Sequence, residues 1–359
     1  MPFDFREFPG NASDQQAARA RGQRPVAIWL FAVAAMIWVM IVLGGATRVT
    51  GSGLSIMEWA PFQGTLPPLN EAEWQRLFGL YKQIPQFALV NADIGLAGFK
   101  HIFWLEYVHR LWGRLMGVVF FVPLVAFSLT GRIERRLRPR LLLLFLLGGL
   151  QGAVGWFMVA SGFFPDATAV SPYRLVIHLG LALLLYSAIL WTALSVLNPV
   201  PRPDPRTGVL RRMVAGLCVA VPLTMLAGGF VAGLHAGLDY NTFPLMDGHL
   251  IPDGYARLSP VLRNLTENIA AVQFDHRLLA TLTALLALAC VGLGLSAKAR
   301  ARGAFVALGA AVSAQYALGV ATLVLMVPVG LAVAHQAVAV LVLTTALICL
   351  HSLRAAPAA

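Results

Sequence analysis

Apolar positions along this chain gather into eight long runs, at about 26–46, 103–129, 140–160, 174–197, 211–234, 276–296, 303–326 and 331–352. A helix needs roughly 20 such residues to cross a bilayer, and each run is long enough. The pattern therefore predicts an all-α integral membrane protein with eight transmembrane helices. The first run is not expected to be a cleaved signal peptide, because a long polar leader (1–25) precedes it and no small-residue cleavage site follows. Between the first two runs lies a polar stretch from Thr47 to about Phe99 that is too long for a bare connector. Its segment WAPFQGTLPPLNEAEWQRLFGLY predicts an interfacial helix near 71–82, either a simple lid or a cover for a pocket.

The eight runs form two sets of four. Gly44-Gly45 recurs 184 residues later as Gly228-Gly229, and Gly53-Leu54, Gly64 and Pro68 recur at the same offset as Gly237-Leu238, Gly248 and Pro252. His109-Arg110 matches His276-Arg277 at an offset of 167, Gln151 and Gly155 match Gln315 and Gly319 at 164, and His178 matches His335 at 157. The offset changes only across loops, as differences in loop length require. Four is an even number, so both sets run in the same direction, like the parallel class of transporter repeats. The expected fold is two pseudo-symmetric parallel four-helix bundles, 26–197 and 211–352, joined by a linker at 198–210 and followed by a tail at 353–359. Gly113, Gly117, Gly148, Gly149, Gly152 and Gly155 are expected to permit close helix approach.

Charge sets the topology. Arginines crowd three short loops: Arg132, Arg135, Arg136, Arg138 and Arg140, then Arg202, Arg206, Arg211 and Arg212, then Arg300 and Arg302 with Lys298. Arg19, Arg21 and Arg24 precede the first run, while the longer alternate loops carry most of the acids. By the positive-inside rule the leader, the stiff linker NPVPRPDPR and the tail are cytoplasmic. The net charge of +11 is thus a topology signal and no indication of nucleic-acid binding. Asp4, Glu7 and Asp14 make the leader a poor mitochondrial transit peptide, so a bacterial plasma membrane is the expected address. Cys218, Cys290 and Cys349 all fall within apolar runs and read as packing residues.

Ionisable groups inside such runs are rare and usually functional. Four stand out: His109, His178, His276 and His335, each about 17–21 residues from the cytoplasmic end of its helix. At 1.5 Å per residue all four reach a common depth in the outer part of the membrane, roughly 26–32 Å from the inner end. Independent structural histidines have no reason to share a depth. Neutral imidazole is the usual axial ligand of haem iron, and two matched pairs point to two haem-sized pockets. His101 and His249, assigned to outer loops, and His351, at the inner end of the last helix, have no repeat partner and read as non-ligands.

At EYVHR with QFDHR, and at GGATRVTGSGLSIMEW with GGFVAGLHAGLDYNTFPLMDG, the chain resembles the haem A synthase family, in the branch shared by proteobacteria and mitochondria. The likeness covers all eight runs. Another branch carries paired cysteines in its outer loops; none stand there in this sequence, so a thiol role does not carry over. The resemblance implies an oxidoreductase that converts haem O, delivered by haem O synthase, into haem A for haem-copper oxidases. It implies that His276 and His335 hold a permanent haem b for electron transfer, and that His109 and His178 face the substrate haem O. It further implies two successive hydroxylations of a ring methyl with oxygen from water, giving a formyl group. Cytochrome c oxidase assembly factors are the implied partners, and an inner-membrane homo-oligomer is expected.

Repeat symmetry alone leaves open which half does chemistry. Glu106, three residues before His109, corresponds to Gln273, which cannot ionise, so the carboxylate sits only in the first half. Either it takes a proton from the attacking water or it stabilises positive charge developing at the methyl carbon. The bland alternative is an acid near a helix N-terminus, and Asp275 beside His276 reads as one. Arg48, Arg110, Arg174 and Arg277 lie at the outer edge, where haem propionates would point; Arg110 and Arg277 either bind them or snorkel and pair with loop acids. Rival readings are a dihaem b-type electron-transfer protein and a haem transporter or chaperone.

Overall fold

In the computed structural model, residues 12–59, 63–199, 208–297, 299 and 301–354 are described. Leader residues 1–11, most of the linker (200–207), the end of the tail (355–359), Lys298 and Arg300 lie outside them. Eleven α-helices run in order among the described residues: α1 (Ala12–Val49), α2 (Glu71–Tyr81), α3 (Pro85–Val90), α4 (Leu96–Leu129), α5 (Arg138–Ala160), α6 (Pro172–Leu197), α7 (Gly208–Gly233), α8 (Asn264–Glu267), α9 (Ile269–Ser296), α10 (Arg302–Val324) and α11 (Val329–Ser352). Among the described residues no strand occurs, only an isolated bridge between Met246 and His249. Eight helices among the described residues are long and apolar enough to cross a membrane: α1 from Gly22, then α4, α5, α6, α7, α9, α10 and α11. These are the eight apolar runs.

Local chemistry sets several helix starts. Proline occupies the first turns of α5 and α6, where its missing N–H leaves nothing unsatisfied. Asn70 caps α2 by accepting from the Glu73 N–H, and Asn268 caps α9 by accepting from the Ala270 N–H. Asn268 also donates to the Gly254 and Tyr255 carbonyls, tying the second long outer loop to that same start.

Helices α4 and α9 begin at Leu96 and Ile269, earlier than the apolar runs placed them. The added turns lie beneath the outer loops rather than in lipid, so hydropathy does not mark them. On α4 they carry Phe99 and Phe103, which pack with Trp74, Phe78 and Tyr81 of α2 in an aromatic cap. Trp74 meets Phe103 edge-on with ring centroids 4.8 Å apart. Burying each such side chain stabilises the cap by about 1.5–3 kcal/mol. The expected interfacial helix is therefore present as α2, docked on α4. This extension also corrects the place of His101, which is exposed on the second turn of α4 and not in a loop.

Helices α1, α6, α7 and α11 share the centre. α1 packs on α4, α6 and α11; α7 packs on α9, α11 and α6; α5 and α10 lie outside, against α6 and α11 respectively. Their shared core includes Leu30, Leu141, Leu217, Phe305 and Leu343, together with the free thiols Cys290 and Cys349. In lipid this association rests on close packing and interhelical hydrogen bonds, since the surroundings are as apolar as the core. The indoles of Trp29, Trp112 and Trp38 supply such bonds to the carbonyls of Val119, Met36 and Ala337. The repeat breaks at the last of these. Pro222 and Gly180 occupy the positions equivalent to Trp38 and Ala337, and a furrow of about 470 Å³ remains there between α6 and α7.

The glycines divide sharply. A Cβ on Gly113 would touch Met40, and one on Gly155 would strike His178. Gly117, Gly148, Gly149 and Gly152 face open space, contrary to the expectation of close helix contact. Three of them lie on the outer face of α5, the least buried of the eight spanning helices.

Candidate functional site

Each histidine of the quartet lies against a glycine on a neighbouring helix. A Cβ built on Gly155 (α5) would stand 2.9 Å from Cε1 of His178 (α6). The same distance separates Gly228 (α7) from His276 (α9), and Gly319 (α10) from His335 (α11). For Gly44 (α1) and His109 (α4) the nearest approach is 3.2 Å, to Nε2. The glycines are themselves repeat partners, so sequence and packing repeat together. Any side chain at these positions would push the imidazole aside. His109 is within electrostatic reach of His178, and His276 of His335.

Alanine at Gly228 tests this arrangement. The substitution should favour α7 by about 0.5–1 kcal/mol, because glycine is a poor helix former. The added methyl should nonetheless displace the His276 ring. The expected result is a normal yield of folded protein with less bound haem, read as pigment per mole of protein. Unchanged pigment would show that the contact does not position the ring.

The ring nitrogens fit metal ligation. His276 Nδ1 lies 3.1 Å from the Thr224 carbonyl, which can only accept, so Nδ1 carries the proton and Nε2 keeps its lone pair. A backbone carbonyl on the far nitrogen is the usual device that orients a ligating imidazole. His178 and His335 each leave a buried Nδ1 with no hydrogen-bond partner. Gln151 and Gln315 present their amides 3.5 and 3.3 Å from Nε2 of these two rings. An amide nitrogen can only donate, so in both rings Nε2 keeps its lone pair and Nδ1 carries the proton, and Nε2 is the nitrogen a haem iron would take in place of the amide.

Above the first pair sits Glu106, only 3% exposed. Its Oε2 accepts from the Ser55 N–H (2.7 Å), the Ser55 hydroxyl (2.7 Å) and the Ile56 N–H (3.0 Å). Its Oε1 accepts from Nε and Nη2 of Arg110, at 3.0 and 2.6 Å. Glu106 stands three turns into α4, so a helix N-terminal dipole, which fades within the first turn, is not what stabilises it.

The second half repeats this clamp with one reversal. Arg110 donates to the Ile56 and Glu58 carbonyls; Arg277 donates to those of Tyr240 and Thr242, the repeat-equivalent residues. Arg277 also donates to Oε1 of Gln273 at 2.8 Å, which turns the Gln273 amide nitrogen toward the Ala236 and Asp239 carbonyls. Asp239 is the counterpart of Ser55. Glu106 thus receives backbone N–H groups where Gln273 donates to backbone carbonyls. Both arginines hold an outer loop against their helix, and only the first clamp contains a carboxylate.

Arg174 donates to the Phe157 carbonyl and lies over the Phe157 ring, 3.7 Å from its centroid. Asp275 is in the second turn of α9 and accepts from the Tyr255 hydroxyl at 2.8 Å, so it is not a first-turn acid. His249 is exposed on its loop. His351 is buried against Trp191 at the opposite end of the molecule, close to Arg354.

Two residues carried no usable signal in the sequence. Ser55 became visible only through its bonds to Glu106. His235, with a left-handed φ of 55°, lies 3.0 Å from Nη2 of Arg48. Burial, and then the adjacent Arg48 guanidinium, push its imidazole below the usual range.

The model of the COX15-CtaA family, described as cytochrome oxidase assembly protein, matches residues 27–347, all eight spanning helices. This chain belongs to the COX15-CtaA family. Relatives agree over nearly full length. A protein named heme A synthase from Granulibacter bethesdensis is 65% identical, covering 92% of this chain and 88% of its own. Heme A synthase 2 from Acidiphilium cryptum is 48% identical, covering 97% and 96%. Heme A synthase from Azorhizobium caulinodans is 50% identical, covering 92% and 94%. The span matched takes in the eight membrane-length helices, and the clamp and quartet both fall inside it.

Proposed function

We propose that this chain oxidises haem O to haem A in a bacterial inner membrane, with both termini cytoplasmic. The carrying observation is the matched histidine quartet with one carboxylate, Glu106, beside its first pair only. The relatives' names and the proteobacterial sources of those relatives support the same reading. The chain divides into a first unit (26–197) that takes the substrate and a second unit (211–352) that moves electrons.

His276 and His335 would hold haem b, with Gly228 and Gly319 keeping room for their rings. When bound, haem b would supply an electron acceptor. His109 and His178 orient haem O so that its ring methyl faces Glu106. Each hydroxylation converts a C–H and one water into a C–OH, two protons and two electrons. A second round yields the geminal diol, which loses water to leave the formyl group.

Glu106 serves this reaction as a fixed anion. A carboxylate offers about four lone-pair directions, and five donors already occupy Glu106. That saturation supports stabilisation of positive charge at the methyl carbon rather than proton uptake from water. Arg110 and Arg277 fasten the loops that roof the two pockets. Haem O synthase upstream and oxidase assembly factors downstream are the partners this chemistry needs.

The test is mass spectrometry of haems extracted from membranes that express the chain with a haem O supply. Haem A, or its hydroxymethyl intermediate, is expected, absent from the empty-vector control. Folded protein carrying only haem b and unmodified haem O would overturn the reading in favour of electron transfer or haem handling.

A further inference from the structure

Of the four arginines at the outer edge, three have their charge answered. Arg110 is paired with Glu106, Arg174 lies over an aromatic ring, and Arg277 has Asp247 within electrostatic range. Arg48 has only neutral neighbours. Its Nη2 donates to the Ala232 and Gly233 carbonyls at 2.8 and 3.2 Å and lies against His235, while its Nε is buried with no partner. No ion pair forms at Arg48 among the described residues. A guanidinium cannot shed its proton, so Arg48, half-buried and with no carboxylate beside it, keeps a charge that the protein itself does not pair.

Its register shows what is missing. Arg48 stands one helical turn outward of Gly44, on the same side of α1, and Gly44 is the residue that lies against His109. A flat ligand held at His109 therefore turns its outer rim toward Arg48. The repeat counterpart of Arg48 is Ala232, so the second pocket has no equivalent cation.

We infer that Arg48 binds a carboxylate of the porphyrin in the first-half pocket. This rests on the reading that His109 and His178 face a haem. Its planar fork matches a carboxylate with two parallel bonds, and Nε supplies the donor that is now unused. Anchoring the carboxylate edge fixes the rotation of the ring about the iron axis, and so selects which methyl faces Glu106. Arg48 is a binding and positioning residue, not a participant in bond making.

The experiment compares iron protoporphyrin IX with its dimethyl ester, in which both carboxylates are masked. Each is titrated by absorbance into purified protein that retains its resident pigment. Wild type should prefer the free acid by about ten- to hundredfold, the range of one charge-assisted contact. Arg48→Gln should abolish that preference while binding the ester as wild type does, and Arg48→Lys should restore part of it. Equal wild-type affinity for acid and ester, or full preference in Arg48→Gln, overturns the inference. So does an Arg48→Gln protein that loses both ligands alike, which would mark a structural role. His109→Ala separates the two levels: titrated porphyrin that ignores His109 sinks the pocket assignment and this inference together. Binding that needs His109 but not Arg48 sinks only the inference.

Discussion

Replacing Glu106 by glutamine is expected to cut haem A formation by about 10²–10⁴-fold, the range for loss of a positioned catalytic group, while haem binding survives. The substitution keeps shape and volume, so the expected loss is chemical. It removes the carboxylate three residues from His109 and, among the described residues, leaves Arg110 without its ion-pair partner. It also places an N–H₂ group among donors, because Ser55 and Ile56 present N–H groups where Ala236 and Asp239 present carbonyls to Gln273. The loop roofing the pocket should loosen as a result, so a second variant separates the two effects. Ser55→Ala removes one hydroxyl bond worth about 1 kcal/mol and keeps the anion. If turnover falls about fivefold in Ser55→Ala and by orders of magnitude in Glu106→Gln, the charge carries the function. Full turnover in Glu106→Gln with intact haem binding would end the proposed role.

Alanine at His276 or His335 should remove the permanent haem b spectrum almost completely. In the proposed pocket each imidazole would supply half of the ligand set, and the Thr224 carbonyl on Nδ1 already orients the His276 ring. The same change at His109 should leave that spectrum in place and instead weaken uptake of added haem. The contrast matters more than either result alone, because a general folding defect would erase both signals. Retention of an unchanged haem b spectrum in both His276→Ala and His335→Ala would show that the pockets are assigned the wrong way round or are absent.

The legible part of this protein was whatever can be written along one dimension. A membrane imposes a length on every apolar run, so eight helices follow from counting. A duplicated unit imposes offsets, so the glycine–histidine partners could be aligned before their contacts were known. The Glu106 and Gln273 difference was readable for the same reason. Elements whose surroundings are made by the chain itself were not. The outer turns of α4 and α9 escaped because loops rather than lipid cover them, and His101 was misplaced with them. The glycines of α5 misled because composition cannot tell a lipid-facing side from a packed one.

Sequence by itself thus determined the eight membrane-length helices and the alignment of their matched glycines and histidines, since hydropathy and repetition are properties of the chain. Tertiary structure alone decided the loop clamps and the meeting of the halves. Ser55 reaches Glu106 across 51 residues, and Arg48 reaches Ala232 across 184. Contacts so distant along the chain depend on the docking angle of whole helices, and on which peptide N–H or carbonyl a loop happens to turn inward. Neither quantity is encoded in the spacing of any local motif.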